Sequence, residues 1–265
     1  MLLWAASGAC TSKNAVEVDD DTMIVAGRID GDLEAEFVSK ITEDIQRIEI
    51  TSKGGEVSSA LAIGEEIAER GIDVEAVDYC ISACASYIWV SGSNRSVREN
   101  TILAFHGGDL PLLALYEKSG SVYPDLRPAA MLIENANRIA RLYAQLGVDK
   151  EFAFAASYAR GLICLDTIEL DDGTISLGPT FRATGFIPTA SFLNSYGIDA
   201  QGSNLPSSQE DLEQIFAAQG GAENWPYFVM AIPSDEALQM DEIERSLPPE
   251  GLTACDPDAG QAKTQ

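Results

Sequence analysis

Two hydrophobic periods alternate along the first part of the chain. Thr22–Ile29 (TMIVAGRI) is a short apolar run and predicts a strand closed by the Asp30-Gly31 turn signal. Leu33, Phe37, Ile41 and Ile45 then recur every four residues between charges, the pattern of an amphipathic helix. Arg47–Thr51 alternates apolar and polar positions and reads as a second strand, ending at Ser52-Lys53-Gly54-Gly55. Val57, Leu61, Gly64 and Ala68 form the stripe of a second helix, which Gly71 stops. Ile72–Tyr79 predicts a third strand, Ser82–Val90 a short helix of small and apolar residues entering the core, and Thr101–His106 a fourth strand. Strands alternating with helices in this way imply parallel pairing through crossovers, so a βαβαβαβ unit is expected up to Gly108.

The pattern is weaker further on. Asp109–Arg127 reads as loop, with Pro111–Tyr116 apolar enough to serve as a lid or a contact surface. Leu132, Ala136, Ile139, Tyr143 and Leu146 predict a helix that ends at Gly147, and Lys150–Tyr158 predicts another. Asp171-Asp172-Gly173 sets a hairpin turn within Thr167–Leu177, and Ser191–Ile198 reads as a short helix. From Ser203 on, twelve acidic residues face only Arg245 and Lys263, so the end is expected to be a mobile appendage, with a helix over Leu212–Ala218. The expected organisation is a leader or linker over 1–21, a domain over 22–200 and an acidic extension over 201–265.

Charge narrows the choice of partners. A formal charge of −25 and a pI near 4.1 repel phosphate backbones and argue against nucleic-acid binding. Small residues leading into Cys10 resemble a bacterial lipoprotein cleavage site, which raises two expectations: export to the periplasm and membrane attachment through a lipidated Cys10. Apart from Cys10, the cysteines Cys80, Cys84, Cys164 and Cys255 make an even set, compatible with disulfides in an oxidising compartment, in pairings the sequence leaves open. They are too scattered to suggest a zinc site.

Three positions carry candidate chemistry, and each also has a plain structural reading. A Gly54-Gly55 pair between strand and helix lets backbone N–H groups face a ligand, or is simply a tight turn. Ser82, between a strand and a helix, fits an N-cap; the same place puts a hydroxyl beside the Ala83 N–H at the positive end of a helix. His106, the only histidine, ends a parallel strand, where α/β folds place function, or it is a satisfied structural residue. A Ser–His proton transfer needs the Ser82 hydroxyl within about 5 Å of a His106 ring nitrogen.

The order strand–GG–helix, strand–Ser–helix, strand–His resembles the ClpP/crotonase superfamily, specifically its serine-protease branch. The matching residues are Ser52-Lys53-Gly54-Gly55, Ile81–Gly92 and Ala104-Phe105-His106, within a stretch from Thr22 to Gly108. The Cys-x-Ser-Ala-Cys-Ala run and the Phe-His-Gly-Gly end look most like exported bacterial proteins of that group. The resemblance implies an α/β fold, a ClpP/crotonase-like spiral of repeated ββα/βαβ units with a mainly parallel sheet. It implies Ser82 as nucleophile, His106 as general base, and the N–H groups of Gly55 and Ala83 as oxyanion hole. It further implies a peptide or protein substrate, self-assembly into homo-oligomers, and neither metal nor cofactor. The chain departs from the family's pattern in three places. Counting back from Gly92 without gaps lands on Ala83 rather than Ser82, with Ser86 one turn on as an alternative. Lys53 stands where the family has proline, and Thr184-Gly185 stands where it has its triad Asp. Two other readings stay open, a catalytically inactive ClpP-like scaffold or binding protein and a crotonase-type acyl-CoA enzyme; the acidic surface and expected export disfavour the latter.

Overall fold

In the computed structural model, the alternation of periods builds a mixed α/β fold around a mostly parallel six-stranded sheet. The structure describes residues 14–106, 108–111, 113, 129–153, 163–169, 175–181, 185–200, 202–221 and 228–231. Strands β1 (Ala15–Asp19), β2 (Thr22–Ala26), β3 (Arg47–Ser52) and β4 (Asp73–Ile81) lie side by side in that order. Strands β5 (Arg95–Val97) and β6 (Ile102–Ala104) both pair with β4, one along its first half and one along its end. All pairings are parallel except that of β1 with β2, a hairpin turning through Asp20.

The sheet thus begins before Thr22, inside the stretch expected to be leader or linker. Val16 is its single fully buried side chain there, and the alternation Val16-Glu17-Val18-Asp19 is the short sequence signal that the strand carries. Asn14 reinforces this start by donating to the Asp30 carboxylate, which also caps helix α1 (Gly31–Lys40) by accepting from the Leu33 N–H. The Asp30-Gly31 signal is therefore a helix cap. Helix α1 stops before Ile45, although Ile45 still packs in the core.

Helix α2 (Val57–Arg70) buries Ala60, Leu61, Ile63, Gly64 and Ile67 and ends at Gly71 with a φ of 67°, the left-handed cap that glycine supplies. Leu33 and Phe37 of α1 join Met23, Val25, Ile48, Ile50, Val74 and Ala76 of the strands in one core. Gly64 is required by packing: a Cβ there would lie 2.1 Å from the Tyr87 carbonyl oxygen. Helix α3 (Ala129–Leu146) follows the expected stripe, and its Arg138 pairs with Glu65 on α2 at 2.7 Å. Of Lys150–Tyr158, Lys150 lies in a turn, residues 151–153 are helical, and residues 154–158 lie outside the described residues. Most of Pro111–Tyr116 and the Asp171-Asp172-Gly173 turn lie outside them as well.

Strands β7 (Ile163–Glu169) and β8 (Ile175–Phe181) form the expected hairpin in longer form, with Thr167 opposite Leu177. Strand β9 (Gly185–Pro188) bridges the end of the main sheet, where Phe105 and Phe186 exchange backbone hydrogen bonds of 2.9 and 2.8 Å. Helix α4 (Ala190–Ser195) follows, capped by Thr189. The early part of the acidic extension is not loose. Helix α5 (Gln209–Ala218) sets Leu212, Ile215 and Phe216 against Ile81, Ile102, Ala104 and Ile187. Strand β10 (Phe228–Ala231) pairs in parallel with β9. Among the described residues, no helix is long and apolar enough to cross a membrane.

Candidate active site

The ends of the parallel strands bring the three candidate segments together. Strand β3 runs into Ser52-Lys53-Gly54-Gly55. There the buried Ser52 hydroxyl accepts from the Gly54 N–H at 3.0 Å, which curls the turn. Gly54 and Gly55 take φ values of 90° and 158°, the first well inside the region that L side chains avoid. On one side Ile29 clasps the turn, donating to the Gly54 carbonyl at 3.1 Å and accepting from the Glu56 N–H at 2.8 Å. On the other side the turn lies against the end of β4. A Cβ on Gly54 would be 2.7 Å from the Ser82 Cβ and 3.1 Å from the Ala83 nitrogen.

Ser82 follows β4 directly and has a φ of 62°. A non-glycine residue in this region is uncommon, and such residues concentrate at functional turns. Its N–H donates to the Ala104 carbonyl at 3.0 Å, and its own carbonyl accepts from Ser86 at 2.9 Å. The predicted helix over Ser82–Val90 is in fact a wide π-type turn, Cys84–Ile88, running into a tight 3₁₀ turn, Trp89–Ser91. No side chain caps the π-type turn, so the Ser82 hydroxyl is not spent as an N-cap. It lies 2.5 Å from Nε2 of His106.

His106 owes its place to the residue before it. Phe105 is fully buried and packs against Trp89, Phe152 and Phe186, with ring centroids 6.2, 5.0 and 5.7 Å away. That aromatic anchor fixes the strand end while His106 itself stays exposed. Nε2 accepts from the serine hydroxyl in the tautomer that carries the ring proton on Nδ1.

The N–H groups of Gly55 and Ala83 are the remaining candidates. Among the described residues neither is committed to another acceptor, whereas the flanking Gly54 and Ser82 N–H groups are both used. Ser86, the alternative nucleophile, is buried, and its carbonyl accepts from the Tyr143 hydroxyl at 3.2 Å. Burial drives the Tyr143 phenol far above its ordinary pKa, so it stays a neutral donor.

Sequence reasoning left the cysteine pairing open and missed its relation to the serine. Cys80 and Cys84 are joined by a disulfide that spans Ile81, Ser82 and Ala83. Close spacing was the available signal, but the pairing depends on the backbone reversal at Ser82, which spacing does not reveal. Thr184 lies outside the described residues; the segment after it, Phe186–Pro188, runs beside the His106 strand end.

No protein-family model and no curated protein matches the chain. Among solved structures it is similar to ClpP1 from Listeria monocytogenes, at 23% identity and a TM-score of 0.35 over 48% of this chain and 72% of that one. A mutant of the same ClpP1 matches at 21% identity with equal coverage and TM-score. A likeness of that size says nothing about activity.

Proposed function

We propose that the chain is a ClpP-like serine hydrolase, a peptidase that forms an acyl-enzyme on Ser82. The observation that carries this reading is the 2.5 Å contact between the Ser82 hydroxyl and His106 Nε2, at a left-handed turn packed against the Gly54-Gly55 loop. His106 takes the proton as Oγ attacks the peptide carbonyl, then gives it to the leaving amine; water repeats the sequence to free the acid. The Gly55 and Ala83 N–H groups hold the oxyanion, each worth about 3 kcal/mol of transition-state stabilisation.

The one-residue offset from the family's pattern has a physical account. A π-type turn carries one residue more than an α-helical turn, and Cys84–Ile88 lies between Ser82 and Gly92, from which the count runs. An extra residue taken up there would place the nucleophile at Ser82 rather than Ala83. The units β2–α1–β3 and β3–α2–β4 fit the spiral of repeated units that this reading requires. A disulfide at the site supports residence in an oxidising compartment such as the periplasm, to which lipidation at Cys10 would add an anchor. Met131 and Ile133, 43% and 42% exposed on α3, offer apolar surface for self-association.

The test is labelling by a fluorophosphonate probe. The wild-type chain is expected to label and Ser82→Ala and His106→Ala are expected not to. Labelling that persists in Ser82→Ala would move the nucleophile elsewhere. A native wild-type protein that never labels would leave the inactive scaffold as the better reading.

A further inference from the structure

The proposed chemistry makes no use of the Cys80–Cys84 disulfide, yet its two ends are planted on either side of Ser82. Cys80 stands on β4 between Ser52 of β3, just past a register shift in that pairing, and Leu103 of β6. Cys84 opens the π-type turn, which packs on α2. Both cysteines are fully buried. Between them stands the left-handed serine, and a π-type turn without a side-chain cap starts at Cys84, so two unfavourable backbone features meet at the bridge. Apart from the disulfide, two backbone hydrogen bonds hold the serine, from its N–H to Ala104 and from Ser86 to its carbonyl. A loop this short constrains the unfolded chain less than almost any other disulfide would, so general stabilisation is a poor reason for its place.

We propose that the Cys80–Cys84 disulfide is the positioning device of the nucleophile. Closed, it keeps Ser82 left-handed with its hydroxyl on His106 Nε2. Open, it lets the turn relax toward ordinary helix, and the serine leaves the histidine. The inference rests on the reading of Ser82 as nucleophile, and it makes that activity dependent on an oxidising environment. A dithiol reductant reverses the device. One thiolate attacks a cysteine sulfur, breaking the S–S bond and releasing the other cysteine as thiolate; the second thiol then resolves the mixed disulfide. Two electrons and two protons end on Cys80 and Cys84 as thiols, and the reductant leaves as its cyclic disulfide.

The experiment compares the full chain before and after dithiothreitol with the Cys80→Ala/Cys84→Ala variant. It reads the fluorophosphonate labelling rate, the ring C2–H proton resonance of His106 and the cooperativity of thermal unfolding. Because the chain has one histidine, that resonance reports on this site alone. Opening the disulfide is expected to slow labelling at least tenfold and to shift the His106 signal, with unfolding still cooperative and reoxidation restoring both. An unchanged rate and signal, with the new thiols counted, would overturn the proposal. So would global unfolding on reduction, which would make the bond a structural staple, or peptide mapping that finds Cys80 and Cys84 as thiols in protein purified without reductant. A chain that never labels but whose His106 signal still shifts on reduction would sink the hydrolase and leave the positioning role standing. If the double variant does not fold, the reductant arm decides.

Discussion

Two successive strand–helix junctions face each other across the site, and they reach left-handed backbone by opposite means. The β3–α2 junction uses glycines, Gly54 and Gly55, and a local hydroxyl from Ser52. The β4 junction uses a serine at a φ of 62°, held by the β6 backbone and by a covalent bridge. A left-handed L residue costs about 1–2 kcal/mol, and glycine removes most of that. Where only N–H groups are needed, glycine supplies the shape at little strain. Where a hydroxyl is needed, the side chain must stay and neighbouring structure must hold it.

Substitutions can break that contrast or sharpen it. Gly55→Ala has the largest expected effect. Its Cβ would sit 1.9 Å from the Ile29 carbonyl oxygen, so urea unfolding should show a loss above about 4 kcal/mol. A loss under about 1 kcal/mol would mean that the first junction does not depend on glycine. Gly54→Ala would drive a methyl against the Ser82 Cβ and the Ile81 carbonyl, both at 2.7 Å. It is expected to cost about 2–3 kcal/mol and to slow probe labelling as well, since the pressure falls on the serine. Labelling at the wild-type rate would uncouple the two junctions.

Smaller effects serve as controls. Arg138→Ala removes the pairing with Glu65 and a 3.3 Å bond to the Ser58 carbonyl near the start of α2. The pair is partly exposed, so about 1 kcal/mol of stability is expected to go, with labelling unchanged. The smallest change should be a gain. Ser82→Gly is expected to abolish labelling and, by relieving the left-handed strain, to raise stability by up to about 1 kcal/mol in chemical denaturation. A clear loss there would show that the serine side chain stabilises the turn, against the contrast drawn above.

The sequence made the parallel core legible because Thr22–Ile29 is a short apolar run, Ile48 and Ile50 alternate with polar residues in Arg47–Thr51, and the helices that follow them carry clear stripes. It made the order of Gly54-Gly55, Ser82 and His106 legible for the same reason, since each closes a recognisable strand. What it hid depends on geometry with little periodic trace. Strand β1 alternates over only four residues, Val16 to Asp19, and buries one of them fully, and β5 is three residues long, so neither signal is strong. The left-handed serine, the π-type turn and the Cys80–Cys84 bridge specify one another, and none is visible without the others. Helix α5 was expected from Leu212–Ala218, but its docking was masked by the acidic residues on its solvent side.

That docking bears on when the site can exist. Leu212, Ile215 and Phe216 close over Ile81, which precedes the serine, and over Ala104, whose carbonyl receives the serine N–H. On a growing chain, Ser82 and His106 emerge from the ribosome long before the helix that floors them. The pair therefore acquires its full support only once Gln209–Ala218 has been made and docked, so any activity at this site would have to wait for that helix.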